Sequence, residues 1–198
     1  MNRRKRFECL IAGLFLSACV GVHLEVKKEN AVSAGPYHRT LVVSLASTRE
    51  ARTTVEKAFR DALWGTQQDP GRAMDLTDFA VGNPVSAAKL GYDSVLVIDQ
   101  DPIVHWKETH PATLSEALAP PAPSDPLAGS TVQSVGPGAR RYVNGCARLY
   151  DATTTRLVWI AHGTLAVDQN EWTARPARAA AKAIIQRLTQ DGLIHRIP

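Results

Sequence analysis

Cysteine is scarce in this sequence: 198 residues hold only 3, at Cys9, Cys19 and Cys146. That count excludes a small fold stapled by several bridges. No apolar run reaches the roughly twenty residues that a membrane-spanning helix needs. Aromatic side chains make up 6% of the chain, too few for a base-stacking platform, so Trp159 and Trp172 read as packing residues. There is no internal repeat and no Gly-rich phosphate loop. The Gly-x-Ser-x-Gly turn of serine hydrolases is also absent; Gly129-Ser130 lies in a Pro-rich stretch without the strand-turn-helix frame that such a nucleophile needs.

What is present begins at the first residue. Arg3, Arg4, Lys5 and Arg6 form a basic head, and an apolar run from Cys9 to Leu16 follows. This is the layout of a secretory signal over residues 1–18. The run closes on Leu16-Ser17-Ala18-Cys19, and Glu25, Lys27 and Lys28 come soon after. The tetrapeptide resembles the lipobox of bacterial lipoproteins: an aliphatic residue, two small ones, and the cysteine that accepts diacylglycerol. Small residues let a peptidase grip an extended backbone at the cut, and the thiol is the nucleophile that takes the lipid. The resemblance implies lipidation at Cys19 and acyl chains such as palmitate as the membrane anchor, each CH₂ contributing roughly 0.8 kcal/mol. Val20 and Gly21 follow where an aspartate would resemble an inner-membrane retention signal. The expected address is therefore the cell outer membrane, facing the periplasm.

The formal charge of +4 and pI of about 9.1 could suggest nucleic acid. The signal carries +3 of that charge, which leaves about +1 for the rest. A nucleic-acid partner loses its main support. Once Cys9 leaves with the signal and Cys19 carries lipid, Cys146 stands alone. It reads as a small buried apolar residue on a strand.

The predicted organisation has three parts. Residues 19–38 read as the lipidated cysteine and a flexible tether, about twenty residues spanning roughly 25 Å. Residues 39–195 read as one α/β domain, with a Pro-rich insertion over 100–138. Within it, Thr40 to Ala46 is an apolar β-branched run that predicts a buried strand. Ser47 with Glu50 predicts a capping box, and Ala51, Val55, Ala58, Phe59, Ala62 and Leu63 form the inner stripe of a helix. Gly65 is expected as its left-handed stop. Met74 to Phe79 suggests a short strand. Asn83-Pro84 suggests the start of a short helix that Gly91 ends. Tyr92 to Asp99 predicts a central strand covered on both faces, because its apolar centre is unbroken. Ile103 to Lys107 could extend a strand edge, and Thr113 to Leu118 could give one helical turn. Seven prolines between Gln100 and Gly138 otherwise speak for mobility. Arg140 to Tyr150 and Arg156 to Val167 predict an antiparallel hairpin. A last helix from about Thr173 to Gln190 turns Ala177, Ala180, Ala181, Ile184, Ile185 and Leu188 inward, and Gly192 is its stop. The expected sheet is mixed, of about four to five strands.

Candidate chemistry is thin. Asp99 and Asp101 form Asp-x-Asp at a strand end, a pattern that can hold a metal and a nucleotide sugar; the bland reading is a solvated turn. His105 and His110 could share a metal, but Lys107 lies between them and a helix would not set them on one face. His162, in the hairpin, reads as a half-buried surface residue. No catalytic, cofactor or metal set is complete, and the chain is expected to be no enzyme. The competing reading is a periplasmic metal-dependent enzyme using Asp99, Asp101 and His105.

Two segments carry a resemblance. Ala87-Ala88-Lys89-Leu90-Gly91-Tyr92-Asp93 followed by the aliphatic strand from Ser94 resembles a segment of small envelope lipoproteins. Leu149-Tyr150-Asp151-Ala152-Thr153-Thr154-Thr155-Arg156-Leu157-Val158-Trp159 resembles their hairpin, with Thr155 standing where glycine is usual. The families concerned include the curli-secretion lipoprotein, the lipoprotein activators of penicillin-binding proteins and related uncharacterised lipoproteins. The resemblance implies a small α/β sandwich that binds or assembles other envelope components, an envelope protein partner among them, without catalysis.

Overall fold

The computed structural model describes residues 22–28, 36–66, 69–76, 85–99, 113–118, 141–167 and 174–194. Its elements, in chain order, are β1 (Val22–Lys28), β2 (Thr40–Ser44), α1 (Arg49–Trp64), β3 (Gly71–Arg72), a 3-10 turn (Ala73–Asp75), α2 (Val85–Lys89), β4 (Ser94–Asp99), α3 (Leu114–Leu118), β5 (Arg141–Asp151), β6 (Leu157–Val167) and α4 (Ala174–Gln190). Together they make one mixed α/β domain around a six-stranded sheet of order β1-β6-β5-β4-β2-β3. β2 is parallel to β3 and β4, whereas β4, β5, β6 and β1 alternate in direction.

The central strand is the one the apolar run predicts. Val95, Leu96 and Val97 are fully buried and Ile98 nearly so. Strand alternation sends Leu96 and Ile98 to one face and Val95 and Val97 to the other. On the first face they meet Val55, Phe59 and Leu63 of α1, and Ala177, Ala181, Ile184 and Leu188 of α4. On the second they meet Leu114, Ala117 and Leu118 of α3, with Ala87 of α2 and Tyr150 of β5. Every residue expected on the inner face of α4 is buried.

Four boundaries differ from expectation. Thr48, not Ser47, caps α1: its Oγ1 accepts from the Ala51 N–H at 3.2 Å. Gly65 has φ of −77°, so it closes α1 without a left-handed turn, and the Thr66 N–H returns to the Leu63 carbonyl at 2.8 Å. Gly91 and Gly192 do take positive φ, 82° and 75°, where their helices stop. The short strand expected over Met74 to Phe79 comes earlier, at Gly71–Arg72, and residues 77–79 lie outside the described ones. The largest correction concerns residues 19–38. β1 pairs antiparallel with β6 from Val22↔Leu165 to Lys28↔Trp159. Tyr37 is buried and donates its N–H to the Leu193 carbonyl at 2.8 Å. Alternation of only two or three apolar residues with charged ones hides such an edge strand from sequence reading. In the Pro-rich insertion only 113–118 is described, and there the expected turn of helix is present.

The hairpin carries a strained turn. Asp151 Oδ1 accepts from the N–H groups of Thr153 and Thr154 at 3.0 and 2.7 Å, and from Thr154 Oγ1 at 3.0 Å. Thr155 then sits at φ 58°, the left-handed region that glycine fills at no steric cost. Its carbonyl accepts the Leu114 N–H at 2.8 Å, which docks α3 beside the turn. Thr113 and Glu116 close a capping box there, with Thr113 N–H to Glu116 Oε2 at 3.3 Å and Glu116 N–H to Thr113 Oγ1 at 3.4 Å.

Candidate functional site

Strand directions divide the sheet into two ends. β2, β4 and β6 all finish at the end marked by Asp99, where β1 and β5 start. β2, β4 and β6 begin at the other end, marked by Asp151, where β5 finishes. Helices α1 and α4 follow strands that stop at the Asp99 end and run back, so both start there. Their exits are at the Asp151 end: the Asp69 N–H reaches the His38 carbonyl at 3.1 Å, and the Tyr37 N–H reaches Leu193.

The Asp99 end is where open α/β sheets place ligands. Asp99 is the last residue of β4. It stands opposite Cys146 on β5, and Cys146 stands opposite His162 on β6. Residues directly opposite share a face, as does the diagonal neighbour Arg148. The Arg148 Nη1 lies 3.6 Å from Asp99 Oδ2, with the two side chains 7% and 28% exposed. Asp99 therefore already answers a buried guanidinium, and its charge is not held open. Asp101, His105 and His110 lie outside the described residues, as does Cys19. Among the described residues no three His, Cys, Asp or Glu side chains converge on a point that could hold a metal. Cys146 is buried, as its reading as an apolar strand residue expected. Its register against His162 was not anticipated. A bulge between Leu149 and Tyr150 shifts the hairpin by one residue, and without it Cys146 would face Ala161.

A second group escaped sequence reading. Glu56 is only 1% exposed, on the same stripe as Phe59 and Leu63. Its Oε1 accepts from the Ser44 N–H and its Oε2 from the Met74 N–H, each at 3.0 Å. Burial pushes its carboxyl upward, and the two N–H donors and Arg72 pull it partly back. Arg72 in turn forks onto Asp75. Glu56 thus ties α1 to the exit of β2 and to the turn after β3. The signal was available: position 56 falls i, i+3 and i+7 with two core residues.

At the Asp151 end the geometry is of another kind. Asp93 clamps the entry to β2, its Oδ2 accepting from the His38 N–H at 2.6 Å and its Oδ1 from the Arg39 N–H at 3.0 Å. Arg39 lies over the Tyr92 ring, 5.2 Å from its centre, and pairs with Asp69 at 3.1 Å. Two large apolar side chains stay in water here. Trp64, the last residue of α1, is 65% exposed, and Leu90, just after α2, is 36% exposed. No described helix is long and apolar enough to cross a membrane.

No family model matches the chain, and no curated protein does. Solved structures do match. A PelC dodecamer from Paraburkholderia phytofirmans is 14% identical, covering 89% of this chain and 100% of that one, with a TM-score of 0.47. Lipoprotein GNA1162 from Neisseria meningitidis is 11% identical, covering 77% and 99%, with a TM-score of 0.41. The neighbours thus include a lipoprotein. At these identities and superpositions no residue role passes to this chain. The link to the curli-secretion and penicillin-binding-protein-activator lipoproteins finds no support among them.

Proposed function

We propose that this chain is a lipid-anchored envelope lipoprotein, held in the outer membrane through Cys19, that binds or helps assemble another envelope component without catalysis. The observation that carries this reading is Trp64. A tryptophan 65% exposed at the end of a 16-residue helix leaves apolar area in water that a partner would bury, at roughly 25 cal/mol per Å². Tryptophan is also among the side chains that most often anchor protein interfaces. Trp64 and Leu90 lie at the end of the sheet opposite to the one where β1, the strand nearest Cys19, begins. Such a chain would be fixed at one end and would present its apolar side chains at the other, toward a partner in the periplasm.

Photo-crosslinking in cells tests this. A crosslinker placed at Trp64 should capture one envelope protein in stoichiometric yield, and the same group at exposed Thr53 should not. Loss of the adduct in Cys19→Ala would tie the capture to the anchor. Equal capture at the two positions, or no capture together with metal bound to the purified chain, would overturn the reading. The latter outcome would favour metal chemistry at Asp99, Asp101 and His105.

A further inference from the structure

We infer that this chain also binds a second copy of itself, the outer edge of β1 pairing antiparallel with β1 of that copy, with Val26 on the two-fold axis. The two edges of the sheet differ. At one, β3 is two residues long and passes at once into the 3-10 turn. At the other, β1 runs for seven residues and contains no proline. It pairs with β6 at every position from Val22 to Lys28, with no bulge. Among the described residues nothing pairs with its outer side. Shortness, proline and bulges are the usual means of blunting an edge, and β1 has none of them. Its outward backbone N–H and C=O groups are a template for one more strand.

Charge selects both the occupant and the register. A two-fold axis gives a self-complementary seam, here with the two strands antiparallel. Charged residues keep most foreign strands off an edge, but Glu25 and Lys27 stand two positions apart on β1. With Val26 facing Val26 of the copy, Glu25 of each chain faces Lys27 of the other. One seam then holds two cross-strand pairs of opposite charge. Centring on Glu25 would set Glu25 against itself and His23 against Lys27. Centring on Leu24 would leave Lys27 facing no residue of the strand. The anchor reading, on which the geometry in the membrane rests, agrees with this symmetry. A two-fold axis normal to the bilayer sets both Cys19 residues at one height, so both lipids enter one leaflet. Confinement to that leaflet raises the effective concentration of the copies. Helix α1 packs over β2 and β3, on the other side of the sheet, so Trp64 stays clear of the seam.

Disulfide crosslinking of the full chain in isolated membranes tests the seam. On a Cys146→Ala background, Val26→Cys should form a disulfide-linked dimer under mild oxidation faster than Val22→Cys or Leu24→Cys. Adding Glu25→Lys sets two Lys–Lys pairs in the seam, and adding Lys27→Glu sets two Glu–Glu pairs. Each change should slow crosslinking at position 26 by roughly tenfold or more. Coexpression of the two variants under different tags restores opposite charges at both pairs. The mixed dimer should then crosslink at the original rate, which also shows that both variants fold. A fastest rate at another position would overturn the inference. So would crosslinking indifferent to the charges, or variants that fail to rescue each other. The mass of the purified chain reads the anchor separately. If Cys19 carries no lipid, the anchor reading alone fails, and the same comparison on a Cys9→Ala/Cys19→Ala background still reads the seam.

Discussion

The indole N–H of Trp159 donates to Asp191 Oδ2 at 2.9 Å, joining the fully buried centre of β6 to the residue that follows α4. Arg187 reaches the same oxygen at 3.2 Å from one turn earlier. A buried indole N–H without an acceptor bears its full desolvation cost. Asp191→Ala should therefore destabilise the domain by about 1–3 kcal/mol, read as a lower urea midpoint by circular dichroism. With Trp159→Phe as background, the same substitution should cost clearly less. Additive costs would show that the bond contributes nothing of its own.

Thr155 gives a prediction of opposite sign. At φ 58° its Cβ crowds the backbone, a strain of roughly 1–2 kcal/mol. Glycine relieves it and gives back part through a more flexible unfolded chain. Thr155→Gly should raise stability by up to about 1 kcal/mol, while Thr155→Val should lower it. A drop in melting temperature for the glycine variant would contradict the turn geometry.

Gly71 is fixed by a neighbour rather than by its backbone angle. A Cβ built there would sit 2.0 Å from Tyr92 Oη and 2.4 Å from the ring carbon that bears it. Gly71→Ala should cost about 1–3 kcal/mol. In a Tyr92→Ala background the same change should be nearly neutral. Equal costs in both backgrounds would place the strain elsewhere.

Glu56 sets a pH dependence. Its folded pKa lies above the unfolded one, with burial the largest cause. The linked stability is fully present below the unfolded pKa of about 4.3 and is lost as pH rises through the folded value. Glu56→Gln removes this linkage. It also sets an amide NH₂ against one of two backbone donors, at a cost of about 1–3 kcal/mol. The stability gap between the native chain and this variant should be widest near pH 4 and narrower near neutrality, by urea unfolding at each pH. A gap that widens as pH rises would mean that the two N–H donors outweigh burial.

Much of the fold was open to reading because local pattern and tertiary role agree. The unbroken run Val95 to Ile98 could only be a doubly covered strand, and the alanine–isoleucine stripe of α4 could only face a sheet. Where local signal and tertiary context part, reading failed. The β1 segment has too few apolar residues to announce itself, and its pairing depends on β6. Glu56 is a charged residue on a core stripe, satisfied by backbone groups from two other elements that no local window contains. The Cys146–His162 register depends on one bulged residue, which sequence periodicity does not reveal. Of the candidate chemistry, Asp99 was rightly placed at a strand end, but Arg148, nearly fifty residues later, answers its charge.

The position of β1 also bears on the order of events in biogenesis. Its partner β6 is the last of the six described strands, so Val22 has no Leu165 to pair with until β2 to β5 have been made. Contacts so distant in sequence close late. Under the anchor reading, β1 stays unpaired for that whole interval, which would leave the lipid-transferring and cleaving enzymes access to Cys19. Closure of the last strand pair then takes Val22 to Lys28 into the sheet. On that reading, the wiring of the domain would supply a window for maturation that ends when β1 and β6 pair.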